Sequence, residues 1–509
     1  MWDRLNPGWF ATVWFAIVAV QGCGGRDPEK ARLEILVPAI QPQPVVQTPT
    51  SFPVRSTGFD WPVFLGPQGD GTSAETGILT DWSAGKLKVV WNKELGEGYG
   101  IGTVAAGRYF QFDRHRDLAR VRCFQAETGA DLWVFEYPSS YRDLYGYDSG
   151  PRTSPIVDGD RVYVFGAEGM IFCLTAEAGK LVWQLDTTAK FGVIQNFFGV
   201  ASTPVIAGDR LLVMVGGSPP ESQNVPPGAL DRVQPNGSGI VAIDKTTGEV
   251  QYQIASDLAS YSTIKLAELG GRQVAYAWLR GSLIGFETAT GKPFLDFPFR
   301  SPELESVNAS TPVVRSTGSV HEVLISECYG LGGVLLSIDA EQVFETAGNS
   351  TMNSALPAQK PDSSGNVSTG INTIWSDKKR RQKSLEAHWN TPILVGSNLY
   401  GCSGRHAGNA ELRCIDWETG VVRWSVAGFE RSSLTGIDGH FVLLDESGRL
   451  VLLKVNPDRY EEVTEYAGEI KFKPPCWAAP IISRGLMYVR GRGQLVCFEL
   501  IPQAGMDDH

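Results

Sequence analysis

The sequence is poor in the side chains and motifs that usually announce chemistry. Among 509 residues there are six His, one of them the terminal His509, and no spacing of possible ligands reads as a metal cluster. No P-loop, His-Glu-x-x-His pair, Gly-x-Ser-x-Gly elbow or dinucleotide fingerprint is present. The eight Cys include no Cys-x-x-Cys, which leaves redox and zinc readings without support. An excess of positive charge is also missing. Lys plus Arg number 45 against 56 Asp plus Glu, a formal net charge of −11, so nothing electrostatic favours a nucleic-acid partner. The one basic run, Lys378-Lys379-Arg380-Arg381, reads as a solvated loop or edge strand.

What is abundant is Gly (57) and Trp (14), and they recur together. VRCFQAETGADLW (Val121–Trp133), IFCLTAEAGKLVW (Ile171–Trp183), IVAIDKTTGEVQY (Ile240–Tyr252) and LRCIDWETGVVRW (Leu412–Trp424) share one phrase, with a weaker copy at LIGFETATGKPFL (Leu283–Leu295). Each is an apolar strand, a polar turn ending in Gly, and in the stronger copies an aromatic four residues later. Repeats of short strands at this period are the signature of a β-propeller. The turn Gly supplies a positive φ, and the aromatic fills the gap to a neighbouring blade.

A small residue, Pro and an apolar run mark the opening strands at Pro155, Pro204, Pro312, Pro392 and Pro480. Degenerate openers lie near Thr103, Thr263 and Thr435, making eight. Proline suits the first residue of a strand, whose N–H the ladder does not need. The last unit, Trp477 to Leu500, stops after three strands, while Lys86 to Leu95 (KLKVVWNKEL) carries a lone Val-Trp strand. Pairing the two ends in one blade would remove the exposed edge. The fold class is therefore all-β: an eight-bladed β-propeller over residues 60–500, its last blade closed by an N-terminal strand, with a tail at 501–509.

Residues 1–23 read as an export signal. Trp9 to Val20 is apolar but too short to span a bilayer, and it ends in Val20-Gln21-Gly22-Cys23. That end is similar to a bacterial lipobox, which would make Cys23 the lipidated first residue of the mature protein. Residues 24–59, rich in Pro, read as an extended tether. Gly216 to Gly239 and Thr346 to Gly370 interrupt the repeat and read as solvated loops, the second disordered. Cys123, Cys173, Cys414 and Cys497 share one repeat position, with Ala242, Gly285 and Ser337 as equivalents, and act as small apolar groups too far apart to bridge. Asp70-Gly71 reads as a tight turn.

The pattern A-x-(D/E)-x-x-T-G-x-x-x-W resembles the repeat of the pyrroloquinoline-quinone (PQQ) propeller family, whose members include quinoprotein alcohol dehydrogenases and BamB-type assembly lipoproteins. The lead-in Asp60 to Pro67 with Asp70-Gly71-Thr72, and Gly150 to Pro155, look like exported planctomycete-type members. The resemblance implies the fold and, for the quinoproteins, a vicinal Cys pair over the quinone and Glu, Asn and Asp around Ca²⁺. This sequence has no adjacent Cys pair and no matching Asp-Tyr-Asp base motif, so no catalytic residue is carried across. The expectation is a non-catalytic binding or scaffolding module, lipid-anchored in the periplasm or outer membrane, needing no cofactor and binding an envelope protein or a small ligand in its funnel. The alternative is a PQQ- and Ca²⁺-dependent dehydrogenase of an alcohol or sugar. Residues at or just before the opening strands should face the funnel: Arg152, Asn196, Asn308, His388, Asn390 and Trp477.

Overall fold

The computed structural model describes residues 54–348 and 370–503; the signal, Cys23 and most of the tether lie outside them. Eight sheets, each with four antiparallel strands, follow one another along the chain, and the seventh gains a fifth, parallel strand from the lead-in. Blade 1 holds Thr103–Ala105, Arg108–His115, Leu118–Gln125 and Asp131–Pro138, and blades 2 to 7 repeat that order. The expected prolines sit one residue ahead of their strands, which open at Ile156, Val205, Val313, Ile393 and Ile481. Blade 8 is built from Ile481–Ser483, Leu486–Gly491 and Gln494–Glu499, with Val89–Glu94 as its outer strand.

That outer strand closes the ring in the same register as the covalent hairpins. Trp91 pairs with Cys497 as Trp133 pairs with Cys123. The Glu499 N–H donates to the Lys88 carbonyl at 3.0 Å, as Gln125 N–H donates to Ala130 across a covalent turn at 2.8 Å. In each blade the ladder shifts register at this point, which turns the docking aromatic toward the next sheet. The shift also corrects one equivalence: in blade 5 the residue opposite the aromatic is Leu335, facing Trp375, and not Ser337. All seven cysteines in the described region are buried and free.

The seams between blades show why Gly and Trp recur together. Trp91 Nε1 donates to the Ala126 carbonyl of the following blade at 2.9 Å, Trp133 to Ala176 at 3.0 Å, Trp183 to Lys245 at 3.0 Å and Trp375 to Trp417 at 2.8 Å. Tyr252 does the same through its hydroxyl to Thr288 at 2.7 Å. Each indole lies on the turn Gly of that next blade. A Cβ on Gly129 would sit 2.8 Å from Trp91, and one on Gly179 2.4 Å from Trp133. The Gly therefore serves both the turn, at φ +70° for Gly129, and the close approach of the ring.

Two seams lack the aromatic, and each is filled differently. Between blades 4 and 5, where Leu295 replaces the aromatic, the helix Ala340–Gly348 brings Phe344 edge-on to Phe294 at 5.5 Å. That helix was not foreseen in a chain read as all-β, and the rest of the second insert lies outside the described residues. Between blades 7 and 8, where Thr464 stands in the aromatic position, the lead-in supplies Trp82, fully buried, its backbone N–H donating to Thr464 Oγ1 and its indole to the Leu79 carbonyl.

The lead-in does more than fill one seam. Trp61 bridges to Val104 of blade 1, Pro62 accepts from Val157 of blade 2, and Gln68 and Gly69 accept from Lys265 of blade 4. Thr72–Ser73 then pairs in parallel with Gly436–Ile437 of blade 7. Residues 61–73 thus form a strap across the inner ends of the blades. Its ends are pinned by Glu75, which accepts from the N–H groups of Phe59, Arg484 and Gly485, and by Asp438, which accepts from Gly77. The Asp70 turn is as expected: its carboxylate accepts from Thr72 N–H and Oγ1.

Candidate functional site

Inside the ring the strap turns at Phe64 and Leu65, and these two side chains form the floor of a cavity of about 370 Å³. The strap lies against turns between first and second strands, at Ala106, Asp438 and Arg484. The cavity wall comes mainly from connections between blades, so the cavity is a funnel opening on the face opposite the strap. Propeller topology brings one such connection per blade to this mouth.

The wall is aromatic. Tyr329, His388, Trp389, Trp477 and Tyr99 follow one another at ring separations of 6.2, 4.9, 5.2 and 4.4 Å. From Trp477 the chain of rings continues through Tyr147 at 5.7 Å to Phe198 at 6.1 Å and Tyr261 at 5.5 Å. Tyr147 (54% exposed) and Leu304 (55%) carry apolar surface out onto the rim.

Three guanidinium groups lie over these rings. Arg405 sits 4.4 Å from the Tyr329 centroid, Arg431 4.6 Å from Trp389, and Arg152 5.4 Å from Tyr99. Each is held by its own carboxylate. Arg152 donates to Asp143 at 2.7 Å, Arg405 to Glu303 at 2.7 Å, and Arg431 to both oxygens of Glu446 at 2.8 and 2.6 Å. Trp477 Nε1 donates to the same Glu446 at 2.8 Å. Burial and the nearby charges of Arg431 and Arg405 push the His388 imidazole down to about 3, so it is neutral. Its Nδ1, and Nε1 of Trp389, are buried without a hydrogen-bond partner.

Of the six residues expected at the funnel, Arg152, His388, Asn390 and Trp477 surround this one cavity. The Asn390 amide is committed to the Cys402 carbonyl at 3.0 Å. The Asn308 amide donates to Leu279 and Arg280, inside the wall. Asn196 caps its neighbour Phe197 and lies in an adjoining cavity of about 210 Å³ with Glu168 and Ser202. Sequence reasoning missed Trp389, Arg405, Arg431 and Tyr99. Arg431 precedes the blade 7 opener much as Arg152 precedes that of blade 2, a signal that could have found it; Arg405 follows a second strand and had none.

The first insert is a buttress and not a solvated excursion. Leu230 and Val233 are buried in a cluster with Phe197, Leu258 and Val307, and Asp231 pairs with Arg280 at 2.7 Å and Arg300 at 2.8 Å. The basic run is solvated at Lys378 and Lys379, while Arg380 lies over Trp375 and donates to the Gly420 carbonyl.

Among the described residues no three His, Cys, Asp or Glu side chains converge as a metal cage, and Glu305 is the one carboxylate on the wall itself.

A family model described as "Outer membrane protein assembly factor BamB" matches residues 116–426. The alcohol dehydrogenase (quinone) dehydrogenase subunit of Gluconobacter oxydans (strain 621H) is 28% identical over 141 residues, 27% of this chain but 18% of that protein. The crystal structure of BamB from Moraxella catarrhalis superposes with a TM-score of 0.51 at 14% identity, covering 81% of this chain and 100% of that one. Quinohemoprotein alcohol dehydrogenase from Comamonas testosteroni gives 0.43 at 14% identity, over 90% and 82%. At such identities the BamB likeness shows the fold alone.

Proposed function

We propose, because the chain belongs to the family described as outer membrane protein assembly factor BamB, that it is a non-catalytic binding propeller of the cell envelope that works through its aromatic funnel. The observation that carries this reading is the composition of the funnel wall. Rings and charge-balanced arginines surround the cavity, and among the described residues no three His, Cys, Asp or Glu side chains converge there. Such a lining binds and orients. Placement in the periplasm or outer membrane is supported by the family description and by the apolar stretch ending at Cys23, a residue outside the described part of the chain.

The second reading, a PQQ- and Ca²⁺-dependent dehydrogenase, draws on the short likeness to the quinone alcohol dehydrogenase subunit and on Trp477 and Arg431, which offer a ring face and a cation. A planar quinone would find those two features, but its calcium would lack the oxygen ligands it needs. The two readings part on one experiment. Added PQQ and Ca²⁺ should neither raise the melting temperature nor give dye reduction with primary alcohols or aldoses. A saturable rise, which mass action requires of any ligand bound by the folded state alone, together with dye reduction, would overturn the binding reading.

A further inference from the structure

We propose that the funnel is a binding site for a short, uncharged saccharide, an inference that rests on reading the chain as a binding propeller. The argument begins with charge. Every guanidinium on the wall already has a carboxylate of its own, at 2.6 to 2.8 Å, and Asp143 beside Arg152 is itself 1% exposed. An anion entering the funnel would meet guanidinium groups whose charge is already balanced and, at Arg152, a buried carboxylate that repels it. With no spare cation on the wall, the fitting ligand is not an anion, and Glu305 beside Tyr145 adds an acceptor for a hydroxyl.

Shape comes next. Trp389 and Trp477 meet at 48° and Tyr99 and Trp477 at 46°, so the rings form a concave wall that offers faces rather than a slot between parallel plates. A slot would suit a flat conjugated ring; a faceted concave wall suits a puckered ring that presents C–H groups to each facet. The volume of about 370 Å³ lies at the small end of ligand pockets, room for a short chain of sugar rings and not for a folded partner.

Polar matching completes the case. A sugar presents hydroxyls, each a donor and an acceptor, and the wall offers groups of that kind. The hydroxyls of Tyr99 and Tyr329 make no hydrogen bond to other described residues, and burial raises both phenols, so they remain O–H. The paired edges of Arg405–Glu303 and Arg431–Glu446, held rigid by each other, present further donors and acceptors in fixed positions.

The test uses the chain from Gly24 onward and tryptophan fluorescence, since Trp389 and Trp477 lie in the wall. The probes are maltose, cellobiose and N,N′-diacetylchitobiose, with cellobionate as the charged counterpart and Trp-Gly-Phe as a peptide. At least one neutral disaccharide should give a saturable change, and it should bind about tenfold or more tighter than cellobionate, the value of one lost charge-matched contact. Tyr329→Phe and Tyr99→Phe keep the rings and should each weaken that sugar about tenfold with an unchanged melting temperature. Cellobionate binding as tightly as the neutral sugars overturns the proposal. A response to Trp-Gly-Phe with none to any sugar also overturns it, yet leaves the binding reading standing; dye-linked sugar oxidation in the presence of PQQ and Ca²⁺ overturns both.

Discussion

The outer seams and the inner funnel are made by the same eight blades, yet they follow opposite rules. At the seams one device recurs, a ring whose N–H or O–H reaches the carbonyl of the next blade while its face rests on a turn Gly. In the funnel recurrence is only partial: three residues ahead of the opening Pro the wall takes Arg152, Ala201, Ala309, Trp389 and Trp477 in turn. Whatever closure demands of one blade it demands of all, so architectural residues repeat. Residues that differ from blade to blade are released from that demand and free to meet a ligand that has no eightfold symmetry.

The sharpest way to break this comparison is to remove one ring from each region. Trp91→Ala deletes the ring at the closing seam and its bond to the Ala126 carbonyl, which keeps only the Tyr488 hydroxyl at 3.2 Å, and should cost about 3–5 kcal/mol in denaturant unfolding. Trp389→Ala, in a wall already open to solvent, should cost well under half of that. Equal losses would mean that the funnel is as architectural as the seam.

A second, smaller contrast isolates the Gly. Gly129 and Gly85 both have positive φ, +70° and +82°, but a Cβ on Gly129 meets Trp91 at 2.8 Å while one on Gly85 meets nothing within 4 Å. Gly85→Ala should lose about 1 kcal/mol from backbone strain alone, and Gly129→Ala roughly 1–3 kcal/mol more from displacing the indole. Matching values in thermal unfolding would show that the turn, and not the ring, selects Gly.

The smallest effect is a slope. His388 stays neutral in the folded chain down to about pH 3, whereas in the unfolded chain an imidazole takes up a proton below about 6.5. Acid therefore favours the unfolded state, and the contribution of His388 is present at neutral pH and lost as pH falls from 6.5 toward 3. His388→Gln should flatten the fall in melting temperature over that range relative to the parent. An unchanged slope would remove His388 as its source.

The two rules also explain what could be read in advance. The blade count and the closing strand were legible because repetition leaves a period, and GKLVWQL at Gly179–Leu185 identified Lys86–Leu95 as its kin. The strap left none: Trp61, Gly69 and Thr72 find partners 43, 196 and 364 positions away, at Val104, Lys265 and Gly436, and nothing local marks such contacts. Trp82 and the helix Ala340–Gly348 were hidden for a related reason, since each substitutes for a missing element of the repeat. Position relative to the openers located the funnel mouth but not the direction of each side chain. Hence Asn196 and Asn308 were named with Arg152, although their amides are spent on backbone caps and carbonyls.

The strap has a mechanical consequence. A pull on the N-terminal end of the chain reaches Arg55 first, tied to Glu499 at 3.0 Å and to the Arg484 carbonyl. Next in line are Asp60, Glu75 and Asp438, then buried Trp82, and only after them Val89–Glu94, the strand that closes the ring without a covalent turn. Tension is thus borne by a series of anchors distributed over blades 1, 7 and 8 before any of it peels the closing strand. The ring is latched by a join without a covalent turn, and the strap works as the strain relief ahead of the latch.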